Sequence, residues 1–256
     1  MTDATTDRQL LTERAYPDSG NLNARSSIYE FKQPDDDFFV YVLGLTDWPA
    51  DASVLDVGCG PGNYLRRVCG VGVDLSAGMA REARAHAPTA VGDVCALPIA
   101  TASIDRLLAP HMLYHAPDLD LAASELRRVL RPGGTALIVT NAQTHVRHLV
   151  DQLCEVSGTD APVRFMDRFS LENGLPLLHR HFAEVHLEHF RGQLVVPVPE
   201  PVVAYADSCR SLYESQLCVG ATWSEVMTEF GRLVADEIAA NGEWRCTTHS
   251  GVFVCR

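Results

Sequence analysis

The chain has 256 residues, 46% of them hydrophobic and 21% charged, with a formal net charge of −12. This length suits one large α/β domain with an ordinary buried core. The acidic balance, with Lys32 the only lysine, offers no broad basic face for phosphate-driven binding, so no nucleic-acid partner is expected. The same acidity serves solubility, or an acidic pocket for a cationic amine.

No apolar run reaches the roughly 18 residues of a membrane helix, and residues 1 to 14 are polar. No membrane partner and no secretory leader are therefore expected, and the location is read as cytoplasmic. The eight cysteines form no C-x-x-C pair. That argues against a zinc ribbon, and most of them are expected to be small core residues. No metal is expected.

In chain order, residues 1 to about 20 read as a loose arm. The aromatic stretch to residue 45 ends in a helix from Phe38, capped by the acids at Asp35 to Asp37. Short apolar runs then alternate with helices, the pattern of a parallel sheet. Strands are expected at Ser53–Val57, Val71–Asp74, Ala90–Val91, Ile104–Ala109 and Thr135–Thr140. Helices are expected at Tyr64–Cys69, Ala77–Ala87 and Leu119–Leu130, the last stopped by Pro132-Gly133-Gly134. Beyond these, His145–Val156 reads as a helix, Ala183–Phe190 as a strand and Gly251–Cys255 as a terminal strand. Trp223, Val226, Met227, Phe230, Val234 and Ile238 recur at helical spacing and read as a core stripe. The domain reading is an N-terminal arm and cap helix over 1–45, then one domain over 46–256. Lid insertions are placed near 157–181 and 195–222.

The most informative stretch is Val54-Leu-Asp-Val-Gly-Cys-Gly-Pro-Gly-Asn63. An apolar strand runs into Gly58, Gly60 and Gly62, where backbone can approach a ligand closely. Asp74 ends the next apolar run. Together they describe a nucleotide-type cofactor across the carboxyl ends of parallel strands. The dinucleotide fingerprint wants G-x-G-x-x-G, and Asn63 stands where its third glycine would be. That weighs against NAD.

Four motifs in order, Asp56 to Gly62, Asp74, Gly92-Asp93 and Arg131-Pro-Gly-Gly134, resemble the class I methyltransferases that use S-adenosylmethionine, in their small-molecule, type 11-like branch. The resemblance covers about residues 50 to 142. It implies a doubly wound, seven-stranded, Rossmann-like sheet with an N-terminal arm and a small helical lid. It also implies S-adenosylmethionine as cofactor, with S-adenosylhomocysteine as product.

On that resemblance Gly58, Gly60 and Gly62 approach the amino-acid end of the cofactor. Arg25, in Leu22-Asn-Ala-Arg25, is the candidate cation for its carboxylate, against the alternative of a surface arginine. Asp74 would accept from both ribose hydroxyls. Leu75 and Met79 would line the adenine, Asp93 would accept from its amino group beside the Val94 backbone, and Ala109 would close the strand-four side.

Strand four leads into His111, Tyr114 and His115, at the end that faces the ligand crevice. His111 and His115 are the candidate catalytic bases. The alternative for His115 is a structural role. Tyr16, Tyr29 and Tyr114 are the candidate substrate contacts, with Phe31 and the 157–220 region as further roof. His145 and His148 are placed near the acceptor or at a solvated helix start.

The expected activity is methyl transfer to nitrogen or oxygen of a small molecule. The Ala- and Arg-rich composition suggests a bacterial specialised metabolite as acceptor. The alternatives are an RNA or protein methyltransferase and a non-catalytic cofactor-binding module. The protein is expected to be a monomer or homodimer.

Overall fold

The computed structural model describes residues 5–159, 165–218 and 220–256. Eight strands form one sheet: β1 (Lys32–Gln33), β2 (Val54–Val57), β3 (Val71–Asp74), β4 (Thr89–Val91), β5 (Ile104–Pro110), β6 (Leu130–Asn141), β7 (Val185–Val196) and β8 (Trp244–Cys255). Their order is β1-β7-β8-β6-β5-β2-β3-β4. Strands β2 to β6 pair in parallel, and β8 runs antiparallel between β6 and β7.

The expected seven-stranded sheet thus gains an eighth strand. β1 is two residues at the outer edge, pairing Lys32 with Leu194 and Gln33 with Gln193. So short a strand leaves no alternating pattern to read. β7 and β8 are also longer than expected, at twelve residues each. Their outer halves pair with each other beyond the reach of β6, and polar side chains there blur the apolar signal.

Chain order reverses at β2, whose neighbours are β3 and β5. A ligand crevice forms outside the carboxyl ends of the strands at such a switch point. Helices cover both faces. Helix Leu119–Val129 buries Ala122, Ala123, Leu126 and Val129 against a core that includes Leu55, Leu107 and Ile138. Helix Trp223–Asn241 buries Trp223, Val226, Phe230 and Val234 in a second core with Trp244, Val202 and Ile28.

Three local expectations are corrected. Tyr64–Cys69 forms no helix: hydrogen-bonded turns run only to Arg67, with single bonds such as Val68 N to Tyr64 O at 3.0 Å. The helix after β3 ends at Ala83 and continues as turns towards Pro88. Arg131 to Gly134 lie inside β6, as an irregularity opposite Ile104 and Arg106.

The arm is ordered into short pieces: Arg8–Leu10, a π-helical turn Leu11–Ala15, helix Gly20–Ser27 and a 3-10 turn Ile28–Phe31. Leu11, Ala15 and Ile28 are buried. Leu11 and Ala15 stand four apart on one face, too few apolar residues to show as a pattern. Asp37 caps helix Phe38–Leu43, accepting from the Phe39 and Val40 amides. None of the eight cysteines, all among the described residues, forms a disulfide, and four (Cys59, Cys209, Cys246, Cys255) are buried. That is half of them, fewer than expected. Residues 1–4, 160–164 and 219, at the edges of the arm and lid segments read from sequence, lie outside the described residues.

Candidate functional site

β2 ends at Val57, and the chain turns through Gly58, Gly60 and Gly62 with φ of +65, +54 and +89°. Glycine enters this left-handed region without the clash a Cβ brings. A Cβ at Gly58 would lie 2.6 Å from Met112 Cβ, and one at Gly60 would lie 3.7 Å from Leu22 Cδ2. The turn is therefore enclosed between the arm and the segment after β5.

Asp74, at the end of β3, is buried. Its Oδ2 accepts from the Gly60 amide and its Oδ1 from the Ser76 amide, each at 2.8 Å. Burial raises its pKa, and the two amides hold it back. Asp56 is fully buried, and neither of its carboxylate oxygens has a hydrogen-bond partner among the described residues. Burial first, and the charge of Asp74 second, push it well above the usual carboxylate range. The Tyr64 hydroxyl, just past the glycine turn, is a second buried group without a partner among the described residues.

Asp93 Oδ1 accepts from the Cys95 amide at 2.9 Å. Its Oδ2 takes a 3.3 Å contact from Arg8 of the arm. The Val94 side chain joins the main core. Leu75 is half-buried after Asp74, and Met79 is buried on the helix that Ser76 caps. Ala109 is buried in β5 opposite Ile138.

At the carboxyl end of β5, His111 adopts φ +52°, and after β6 the β-branched Val146 adopts +46°. Such backbone costs of order 1–3 kcal/mol per residue and collects at functional sites. Burial lowers the His111 imidazole to about 4. Its ring meets Phe38 at 5.8 Å between centroids and acts electrostatically on His145.

Two hydrogen-bonded chains run beside it. In the first, Arg25 Nη1 donates to Tyr16 Oη at 3.2 Å. Tyr16 lies 3.2 Å from His115 Nε2, and His115 Nδ1 lies 2.9 Å from the Thr5 carbonyl. A carbonyl only accepts, so Nδ1 carries the hydrogen. With burial holding His115 neutral, at about 4, its Nε2 lone pair accepts from Tyr16. In the second chain the His249 amide donates to His145 Nδ1 at 3.0 Å. His145 Nε2 meets Tyr29 Oη at 2.8 Å. Burial holds His145 at about 3, so the neutral ring donates to Tyr29 from Nε2.

Arg25, Tyr16, His115 and Tyr114 thus form one contact group, while Tyr29 and His145 form a second, on which His111 acts electrostatically. Tyr114 packs edge-on against His115 and feels the charge of Arg25. Sequence reading missed Thr5, Tyr205 and Cys209. Tyr205 and Cys209 act on Arg25 from the helix Glu200–Ser208 and its end. They lie about 180 residues away in a segment legible only as roof. His148 belongs elsewhere: it pairs with Glu237 at 2.9 Å and stacks on Trp244. Phe31 packs against the second core.

Open depressions of about 440 and 290 Å³ lie beside Arg147 and His148, and beside Arg14 and Ser208. The glycine turn lines neither. Among the described residues no group of three His, Cys, Asp or Glu side chains could hold a metal. No described helix is long and apolar enough to cross a membrane.

Residues 55–138 match the family model of a methyltransferase domain. The chain is 34% identical over 140 residues to a malonyl-[acyl-carrier protein] O-methyltransferase of Enterobacter lignolyticus, covering 52% of this chain and 56% of that protein. It is 39% identical over 111 residues to the 23S rRNA (guanine(748)-N(1))-methyltransferase of Streptomyces fradiae, covering 39% and 37%. The chain spans about half the length of the curated relatives it matches. The fold is similar to Haemonchus contortus phosphoethanolamine N-methyltransferase 2 in complex with S-adenosyl-L-methionine. The TM-score is 0.57 and the identity 17%, over 97% of this chain and 59% of that one.

Proposed function

Because the chain belongs to the class I S-adenosylmethionine-dependent methyltransferases, we propose that it methylates a small-molecule acceptor held between the strand ends and the arm. The observation that carries this reading is the Asp74–Gly60–Ser76 arrangement beside the orphaned Asp56.

These residues fit S-adenosylmethionine. Each Asp74 oxygen uses one lone pair on an amide and keeps another for a ribose hydroxyl. Two buried Asp56 acceptors without a donor suit the methionyl ammonium, since buried polar groups need partners. Gly58 and Gly60 supply close backbone. Asp93, fixed by the Cys95 amide, would accept from the adenine amino group, with Leu75, Met79, Val94 and Ala109 as apolar lining.

The bound cofactor supplies a methyl group already activated on a sulfonium. The protein's work is then alignment and exclusion of water, and orientation alone can supply several kcal/mol. The arm excludes water by closing over Gly60 through Leu22. Tyr16, Tyr29 and Tyr114 hold the acceptor. His111, whose ring makes no hydrogen bond among the described residues, is the group open to a proton from the acceptor. His115 has its lone pair on Tyr16 and positions that hydroxyl.

A second reading, methylation of RNA, is favoured by the Streptomyces fradiae relative. The net charge of −12 weighs against it. Incubation with methyl-labelled S-adenosylmethionine separates the two. Label on members of a panel of small acids, phenols and amines supports the proposal, and label on 23S rRNA alone overturns it.

A further inference from the structure

Arg25 is held without an acid. Its Nε donates to the Asn21 carbonyl at 3.3 Å and its Nη1 to Tyr16 at 3.2 Å, with the guanidinium 5.0 Å from the centre of the Tyr16 ring. Its Nη2 is closed off from solvent and has no hydrogen-bond partner among the described residues. Its hydrogen-bond partners are a carbonyl and a hydroxyl, and no carboxylate pairs with it among the described residues. Arginine stays charged in proteins, and a buried cation is costly until an anion meets it.

A second donor stands about one helical turn on: Tyr29 follows Arg25 by four residues, where helix Gly20–Ser27 runs directly into the 3-10 turn Ile28–Phe31. His145 already donates to Tyr29 Oη, as its bond from the His249 amide requires. The hydroxyl proton of Tyr29 therefore has no acceptor among the described residues. Tyr29 feels the charge of Arg25, as do Tyr114 and Tyr205. The hydroxyl of Tyr205 likewise makes no hydrogen bond among the described residues. Donors gather here, and the acid on the neighbouring helix, Asp207, is taken up by Trp223 Nε1 at 2.7 Å.

We propose that the acceptor is a carboxylic acid, bound as its anion by Arg25 Nη2 and the Tyr29 hydroxyl. This rests on the methyltransferase reading and names its substrate class. A forked guanidinium suits the planar carboxylate, and charge-assisted bonds are the strong ones. An amine, which the acidic composition would favour, places a second positive charge beside Arg25.

The methionyl carboxylate of the cofactor is the other anion that could reach this residue. One observation favours the acceptor. The helix Glu200–Ser208, which leads to Cys209, packs on the arm helix Gly20–Ser27 that carries Arg25. Asn21, whose carbonyl holds Arg25, also lines the open depression of about 290 Å³ with Ser208, which places the guanidinium one residue from solvent.

The test titrates phenylacetate, phenylacetamide and phenethylamine by calorimetry into the full chain saturated with S-adenosylhomocysteine. Phenylacetate is expected to bind about tenfold tighter than the other two, the worth of one charge-assisted hydrogen bond. Arg25→Met should erase that preference and leave S-adenosylhomocysteine affinity unchanged. Tyr29→Phe should weaken phenylacetate and leave phenylacetamide alone, which keeps the test open if Arg25→Met does not fold. Equal affinities or a preference for the amine would overturn the proposal. So would an Arg25→Met protein that loses S-adenosylhomocysteine yet keeps the acid preference, which would assign Arg25 to the cofactor. If the unaltered chain does not bind S-adenosylhomocysteine, the methyltransferase reading falls first and this inference with it.

Discussion

Asp74 ties the glycine turn to the end of β3, its Oδ2 accepting from the Gly60 amide at 2.8 Å. The acid that would meet the ribose is thus also the acid that shapes the turn beside the methionyl group. Ser76 holds the other oxygen and caps the helix that carries Met79. Gly60, Asp74 and Met79, read separately from sequence as candidate cofactor residues, belong to one hydrogen-bonded unit.

The turn's steric enclosure separates two glycines with the same backbone sign. Gly58 and Gly133 have φ of +65 and +80°. A Cβ at Gly58 would meet Met112 at 2.6 Å, whereas one at Gly133 would meet nothing within 4 Å. Gly133→Ala should cost about 1–2 kcal/mol, the left-handed penalty alone. Gly58→Ala should cost about 3 kcal/mol or more, because overpacking adds to it. Urea denaturation of both variants checks this, and equal losses would count against the enclosure.

Acid should destabilise the fold through its buried histidines. His111 and His115 are pushed down to about 4 and His145 to about 3, from an ordinary 6.5. As pH falls from about 6.5 towards 4, the unfolded chain binds protons that the folded one refuses, so stability drops. Asp56 and Asp74, both raised by burial, act oppositely, because the folded state holds their protons more tightly. The three histidines, joined by His249, which burial also lowers, outnumber the two carboxyls and leave a net loss. The urea midpoint should be lower at pH 5 than at pH 7. The drop should shrink in His145→Gln, whose amide can accept from His249 and donate to Tyr29. A flat or rising midpoint would show that these rings are not buried neutral.

How much base catalysis is needed depends on the acceptor. A carboxylate has no proton to lose, so His111→Ala should lower kcat by less than about tenfold with acid acceptors, below the usual worth of a general base. Tyr16→Phe should raise KM more than it lowers kcat, since it breaks the link between Arg25 and His115. Steady-state kinetics on any acid that accepts label checks both. A loss of about a thousandfold in His111→Ala would show that a proton must leave.

The sheet from β2 to β5 was legible because each strand is a short apolar run ended by glycine, acid or proline, and β6 because Thr135 to Thr140 is a buried apolar run after the glycines. The candidate cofactor residues were legible for the same reason, lying at strand ends in fixed order. The acceptor side was not. Tyr205 and Cys209 approach Arg25 across about 180 residues, and neither falls in a motif. The tautomer of His145 is set by the His249 amide, a partner that only the β8 register supplies. Leu11 and Ala15 bury an arm that reads as polar, because two apolar residues one turn apart suffice to anchor it.

Everything proposed for this chain rests on a site for S-adenosylmethionine built on Asp74. The decisive measurement is calorimetric titration of the chain with S-adenosylmethionine, with NAD beside it and with Asp74→Ala as the variant. The expected result is binding of the methyl donor, none of NAD, and a loss of about a hundredfold or more in Asp74→Ala, as removal of charged hydrogen bonds implies. No binding of the methyl donor, or tighter binding of NAD, would remove that site and the reading built on it.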